Sequence, residues 1–166
     1  DAKGRVFVSD TGNGRVVRFG PDGKLEKEWG RTGPDQGRLR NPMGLTVDSR
    51  GMIWVADNGN GRLCQFDPDG RLLSTLPVPG WRLEACSEPH VALDDTGNTW
   101  ISVPIESEVW MINQKGEVRM KVRIPENSGG PVRITGLALV PAERKILATA
   151  LDGQLYWFRL RPRGGR

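Results

Sequence analysis

Short apolar stretches recur along the chain, each closed off by Gly, Asp, Asn or Pro. Over residues 44–76 they fall at 44–48, 52–57, 62–67 and 71–76, separated by DSRG, DNGNG and DPDG. Clusters of this kind are turns, and the stretches between them are rich in aromatic and β-branched residues. The spacing predicts four short strands, termed a, b, c and d in chain order. RVVRF and MIWVA carry apolar residues on both faces, so the sheet they build must be covered on both sides.

The same unit repeats. GRVFVSDTGNGRVVRFGPDG begins at Gly4 and GMIWVADNGNGRLCQFDPDG at Gly51; GNTWISVPIESEVWMINQKG begins at Gly97 and ERKILATALDGQLYWFRLRP at Glu143. A gap-free alignment places Phe7, Trp54, Trp100 and Ile146 in one slot and Val8, Val55, Ile101 and Leu147 in the next. Val16, Leu63, Val109 and Leu155 share another, as do Phe19, Phe66, Ile112 and Phe158. Four-stranded sheets stacked face to face around an axis satisfy two apolar faces per sheet, which predicts an all-β fold: a β-propeller of four-stranded antiparallel blades. PAERKILATALDG has a competing helix signature, with Pro and Glu first, Ala and Leu inside and Gly last. The repeat assigns it to strands a and b of the fourth copy, because propensity is the weaker guide.

The predicted blades span about 1–30, 43–78, 89–124 and 134–160, with 161–166 a basic tail. The first copy starts after its strand a, and RPRGGR does not read as a strand d. About three and a half blades are therefore expected, as part of a six-bladed propeller. The arc is expected to be completed by upstream chain or a second copy, and strand c near Leu155–Phe158 to have a free edge away from strand b.

Composition narrows the function classes. Apolar residues are 37% and glycines number 22, a globular balance rather than a disordered one. No run approaches the ~18 apolar residues of a membrane span, and DAKGRVFVSD does not read as a signal peptide. The net charge is +4, but Arg159, Arg161, Arg163 and Arg166 supply it, and the remaining body is balanced. That argues against a nucleic-acid partner. Cys64 and Cys86 are too few for a disulfide scaffold and form no zinc pattern; two unpaired thiols are expected, with one disulfide as the alternative.

The pattern V-x-D-x-G-N-G-R, present as VSDTGNGR and VADNGNGR, with PDG after strand c and NPMGLTVD around strand a, resembles the NHL-repeat family of β-propellers. GMIWVADNGNGRLCQFDPDG and LPVP are also similar to streptogramin-lyase propellers. The motif Asp residues, Asp10 and Asp57, end strand b, where a carboxylate can accept bonds from the tight turn. Arg15 and Arg62 return five residues later within reach. The third copy has Val103 and Glu108, and the fourth Thr149 and Gln154, so both partners change together, as in a structural pair.

His90 opens strand a of the third copy, beside the central channel, and reads as a structural group, with an acid, base or metal ligand as the alternative. Streptogramin lyases use a His and a Glu with magnesium, and that pair does not map onto this chain. Asp48 and Asp94, beside a turn at equivalent positions, read as turn caps. No cofactor or metal is expected, and no hydrolase or lyase turnover.

Successive strands run up and down, so the a–b and c–d turns share one end, and the b–c turns share the other with the longer connectors 30–43, 78–89 and 125–133. Long loops on a rigid scaffold are where recognition concentrates. The connectors carry Arg31, Arg38, Arg40, Trp81, Arg82 and Arg133, with Trp and Arg common interface anchors; Trp81 reads equally as packing. The leading expectation is a non-catalytic scaffold module that binds a protein, peptide or glycan through this end. A propeller enzyme of the streptogramin-lyase or sugar-lactone-hydrolase kind is the alternative, and an RNA-binding NHL propeller the second. Analogy with exported bacterial propellers suggests an extracytoplasmic location.

Overall fold

A computed structural model describes residues 1–81, 88–125, 132–140 and 145–159. Among these residues, fourteen strands form four antiparallel sheets. The first blade holds β1 (Val6–Asp10), β2 (Arg15–Phe19) and β3 (Leu25–Trp29). The second holds β4 (Pro42–Val47), β5 (Ile53–Asp57), β6 (Arg62–Phe66) and β7 (Leu72–Pro77). The third holds β8 (Val91–Leu93), β9 (Thr99–Val103), β10 (Glu108–Ile112) and β11 (Val118–Arg123). The fourth holds β12 (Ile134–Val140), β13 (Lys145–Ala150) and β14 (Leu155–Arg159). Each blade is a meander of neighbours in sequence. The helix-like segment is thus a strand at 145–150; its residues 141–144 lie outside the described residues, as do 160–166, so the expectation of no further strand there is not addressed.

Turns set the meander. Asp48 Oδ1 accepts the N–H groups of Arg50 and Met52, both at 2.9 Å, and Asp94 Oδ1 those of Thr96 and Asn98 at 3.0 and 2.8 Å. These carboxylates close the a–b turns. The b–c turns of the first three blades are single 3-10 turns, each followed by a left-handed residue: Gly14 (φ 62°), Gly61 (φ 62°) and Ser107 (φ 54°). The third copy lost the motif residues yet keeps the turn.

Three apolar clusters lie between successive sheets. Val16, Phe7 and Trp29 of the first blade meet Ile53, Val55, Cys64 and Phe66 of the second. Trp54, Ala56 and Leu63 of the second meet Ile101, Val103, Trp110 and Ile112 of the third. Trp100 and Val109 of the third meet Ile146, Ala148 and Ala150 of the fourth. Each strand thus sends alternate residues to its two neighbours. Close approach accompanies this stacking: Gly44 N–H donates to Pro89 O at 3.1 Å, and a Cβ on Gly44 would lie 2.6 Å from that oxygen.

The fourth blade corrects the gap-free alignment. Trp54 pairs with Thr46, and Trp100 with Ala92, but Ala138 pairs with Leu147 rather than Ile146. On the other side Leu147 pairs with Trp157, as Trp100 pairs with Met111. Leu147, not Ile146, therefore takes the slot of Phe7, Trp54 and Trp100, and Ala148 that of Val55 and Ile101. The a–b connection is one residue longer and the b–c turn one residue shorter, so the repeat length is conserved while strand b slips. A one-residue slip exchanges the faces of a strand. Here it turns Ile146, Ala148 and Ala150 toward the third blade and leaves Leu147 and Thr149 on the opposite face.

Candidate functional site

The end that carries the b–c turns is organised by the Asp57 turn. Asp57 is fully buried, and its Oδ2 accepts Arg62 Nε at 2.7 Å and Asn60 Nδ2 at 2.9 Å. Its Oδ1 accepts the Arg40 N–H at 2.7 Å. From the same turn, Asn60 Nδ2 donates to Gly33 O at 2.9 Å, and Arg62 Nη2 donates to Arg38 O at 2.7 Å and Asp35 O at 3.1 Å. Gly59 N–H donates to Arg40 O at 2.8 Å. The turn therefore clasps the connector between the first two blades along residues 33–40.

The connector is fixed internally as well. Leu39 is fully buried in the first inter-blade cluster. Its N–H donates to Arg31 O at 3.0 Å, and its carbonyl accepts Gly33 N–H at 3.1 Å. Arg31 (φ 62°) and Asn41 (φ 51°) take left-handed backbone at its two ends, a conformation rare for residues with a side chain. Loops held this tightly present their side chains with little ordering left to do on binding.

Arg31, Arg38 and Arg40 are all exposed on this connector. Arg38 Nε lies 3.4 Å from Asp35, and its Nη1 donates to Thr32 O at 3.3 Å. Among the described residues, neither Arg31 nor Arg40 has a carboxylate within ion-pair distance. Arg133 is exposed on the last connector, and its carbonyl accepts the Leu151 N–H at 3.0 Å. Arg82 lies outside the described residues.

Trp81 is a packing residue: it is 2% exposed, sits in the cluster between the second and third blades, and its Nε1 donates to Ser102 O at 2.8 Å. His90 is half-buried immediately before β8. Its N–H donates to Ser102 Oγ at 2.8 Å and its carbonyl accepts Ser102 N–H at 3.0 Å. Its Nε2 is shielded and has no hydrogen-bond partner among the described residues. Among those residues, no three His, Cys, Asp or Glu side chains converge as a metal site.

Asp10 and Arg15 form the equivalent ion pair in the first blade at 2.8 Å, and Asn13 Nδ2 donates to Asp10 at 2.9 Å. The Arg15 and Asn13 donors hold the Asp10 carboxyl below its ordinary value. Arg15 also pairs with Glu28. Sequence reasoning singled out the Asp and Arg of the first two copies but missed Asn13 and Asn60; the signal was the GNG in both turns. Cys64 lies beneath the Asp57 turn, its Sγ 3.8 Å from Asp57 Oδ2. Burial, with the neighbouring Asp57 charge, pushes its thiol up to about 12.

Residues 39–66, the stretch from Leu39 through the Asp57 turn to β6, match the NHL repeat model. This segment is similar to NHL repeats. No curated protein matches the chain. Among solved structures, the Staphylococcus aureus virginiamycin B lyase superposes with TM-score 0.65 at 18% identity, covering 96% of this chain and 53% of the lyase chain. A streptogramin B lyase gives TM-score 0.64 at 19% identity, covering 98% and 53%. The dihydro-heme d1 dehydrogenase NirN gives TM-score 0.69 at 12% identity, covering 100% and 34%. These likenesses establish the propeller fold. The chain spans about half the length of the two lyases it matches. Within the matched segment, Asp57, Asn60 and Arg62 are the residues that fasten the connector.

Proposed function

We propose that this chain is a binding module that takes an acidic segment of a protein or peptide on the Arg31–Arg40 connector. The observation that carries the reading is the clasp: a connector pinned by Asp57, Asn60 and Arg62 exposes Arg31 and Arg40, which have no carboxylate partner among the described residues. A guanidinium offers a planar fork of donors that fits a carboxylate bidentately. A glycan reading fits less well, because the aromatic residue available for stacking on a sugar, Trp81, is buried. The test is fluorescence anisotropy of a labelled peptide of alternating Glu and Ser, at low and at physiological salt. The Arg31→Ala/Arg40→Ala variant should bind about tenfold more weakly, or ~1.4 kcal/mol. Equal affinity of variant and wild type, or no binding by the wild type, contradicts the reading. Tighter, steeply salt-dependent binding of a single-stranded RNA oligonucleotide would favour the nucleic-acid alternative.

A further inference from the structure

The three arginines on the connector between the first two blades are not equivalent. A parallel bridge between Thr32 and Leu39 lays residues 31–33 alongside 38–40, at the spacing of about 4.8 Å between neighbouring strands. Arg31 and Arg38 are thus neighbours across the bridge, and Arg40 lies one residue beyond Leu39. The exposed Arg40 side chain passes over the Asp57 turn: a Cβ on Gly59 would lie 2.8 Å from Arg40 Cγ. Arg38 instead folds back across Gly33, where a Cβ would lie 2.6 Å from its Cδ. Folded this way it meets Asp35, the one acid between Gly30 and Met43. The contact is 3.4 Å and both side chains are exposed. That is longer than the roughly 2.7–2.9 Å of a close charge-assisted bond, and exposed pairs contribute little. The connector thus offers two guanidinium groups with no carboxylate partner among the described residues, and a third that carries a loosely held carboxylate of its own.

We propose that the connector selects a phosphorylated segment, taking a phosphoserine or phosphothreonine in preference to a carboxylate; this rests on the binding reading above. Selection comes from displacement. A carboxylate arriving at Arg38 exchanges with Asp35 charge for charge and gains nothing there. A phosphate monoester carries about −1.5 to −2 charge at pH 7 and three acceptor oxygens. It therefore outcompetes Asp35 for Arg38 and keeps oxygens free for Arg31 and Arg40. A phosphodiester has a single charge, so a nucleic acid has no such advantage over Asp35. The exchange needs only a side-chain rotation. Arg62 Nη2 holds the carbonyls of Asp35 and Arg38, and Asp57 Oδ1 holds the Arg40 N–H, so the backbone stays in place when Arg38 leaves Asp35.

The test is fluorescence anisotropy of three labelled peptides against the full chain, with circular dichroism confirming that each variant is folded. The peptides are the alternating Glu and Ser sequence, the same sequence with one central Ser phosphorylated, and the same with that Ser replaced by Glu. The phosphopeptide should bind about tenfold more tightly than its Glu-substituted counterpart. Arg38→Ala should remove most of that preference. Asp35→Asn should strengthen the Glu-substituted peptide about threefold and narrow the preference, because a carboxylate then has no rival at Arg38. If the Glu and Ser peptide binds but the phosphopeptide is no tighter than its Glu-substituted counterpart, the phosphate preference is overturned and the binding reading stands. If none of the three binds, both fail. A preference that survives Arg38→Ala, or that widens in Asp35→Asn, also overturns the proposal. So does tighter binding of a single-stranded RNA oligonucleotide of the same net charge as the phosphopeptide.

Discussion

Asp57 and Asp10 occupy the same motif position, yet the side chain of Asp57 is fully buried and that of Asp10 is 26% exposed. The connector over the second copy makes the difference. Removing one member of a buried ion pair leaves the other uncompensated, which costs about 3–5 kcal/mol. Asp57→Ala should therefore lower stability in urea denaturation by about that much, and Asp10→Ala clearly less; equal effects would show that the connector does not matter. Cys64 gives a second check. In a Cys86→Ser background its thiol should resist a thiol reagent at pH 8 until the protein unfolds, because the thiolate is the reactive form. Rapid native-state labelling would contradict the burial. Asp94 gives a third. Burial alone would raise its pKa, but the donors Thr96, Trp100 and Asn98 outweigh it and hold it below the ordinary 3.8. A depressed carboxyl contributes stability that is complete above its unfolded value and lost as pH falls through its folded value. Stability should decline below about pH 4, and Asp94→Asn should lessen that decline; an unchanged acid profile would remove Asp94 from the account.

The b–c turns show how an element outlives its motif. Ser107 stands where the first two copies have Gly14 and Gly61, with φ 54°, and its buried Oγ has no partner among the described residues. A left-handed side-chain residue costs about 1–2 kcal/mol. Ser107→Gly should raise stability by about 1 kcal/mol, less the greater entropy of glycine in the unfolded chain; a loss of stability would mean that the serine is supported in some other way. Strand positions, turn types and the pairing of Asp with Arg were legible because they rest on local chemistry and on repetition. The slip in β13 was not. Its two compensating length changes leave the offset between copies intact, and Ile146 and Leu147 are both apolar, so the pattern cannot say which one faces inward. The pairings of Leu147 with Ala138 and with Trp157 decide it.

At the scale of the molecule, stacking of sheets through alternate residues was legible from strands that are apolar on both faces. The fate of individual connector residues was less so: Trp81 and Arg40 both lie in inter-blade connectors, but one is fixed between blades and the other exposed, because the clasp at Asp57 holds the backbone of Arg40 and leaves its side chain free of the core. Which end of the arc is stiff enough to recognise a partner follows from such tertiary bonds. The account of the fold depends on the order of the blades and the register of the last. The direct measurement is the set of cross-strand nuclear Overhauser contacts in the isotopically labelled chain. Contacts should join the strands in the four meanders described, with Ala138 opposite Leu147 and Leu139 opposite Ile146. Helical contacts between residues three apart over 145–150, or Ala138 opposite Ile146, would contradict the account.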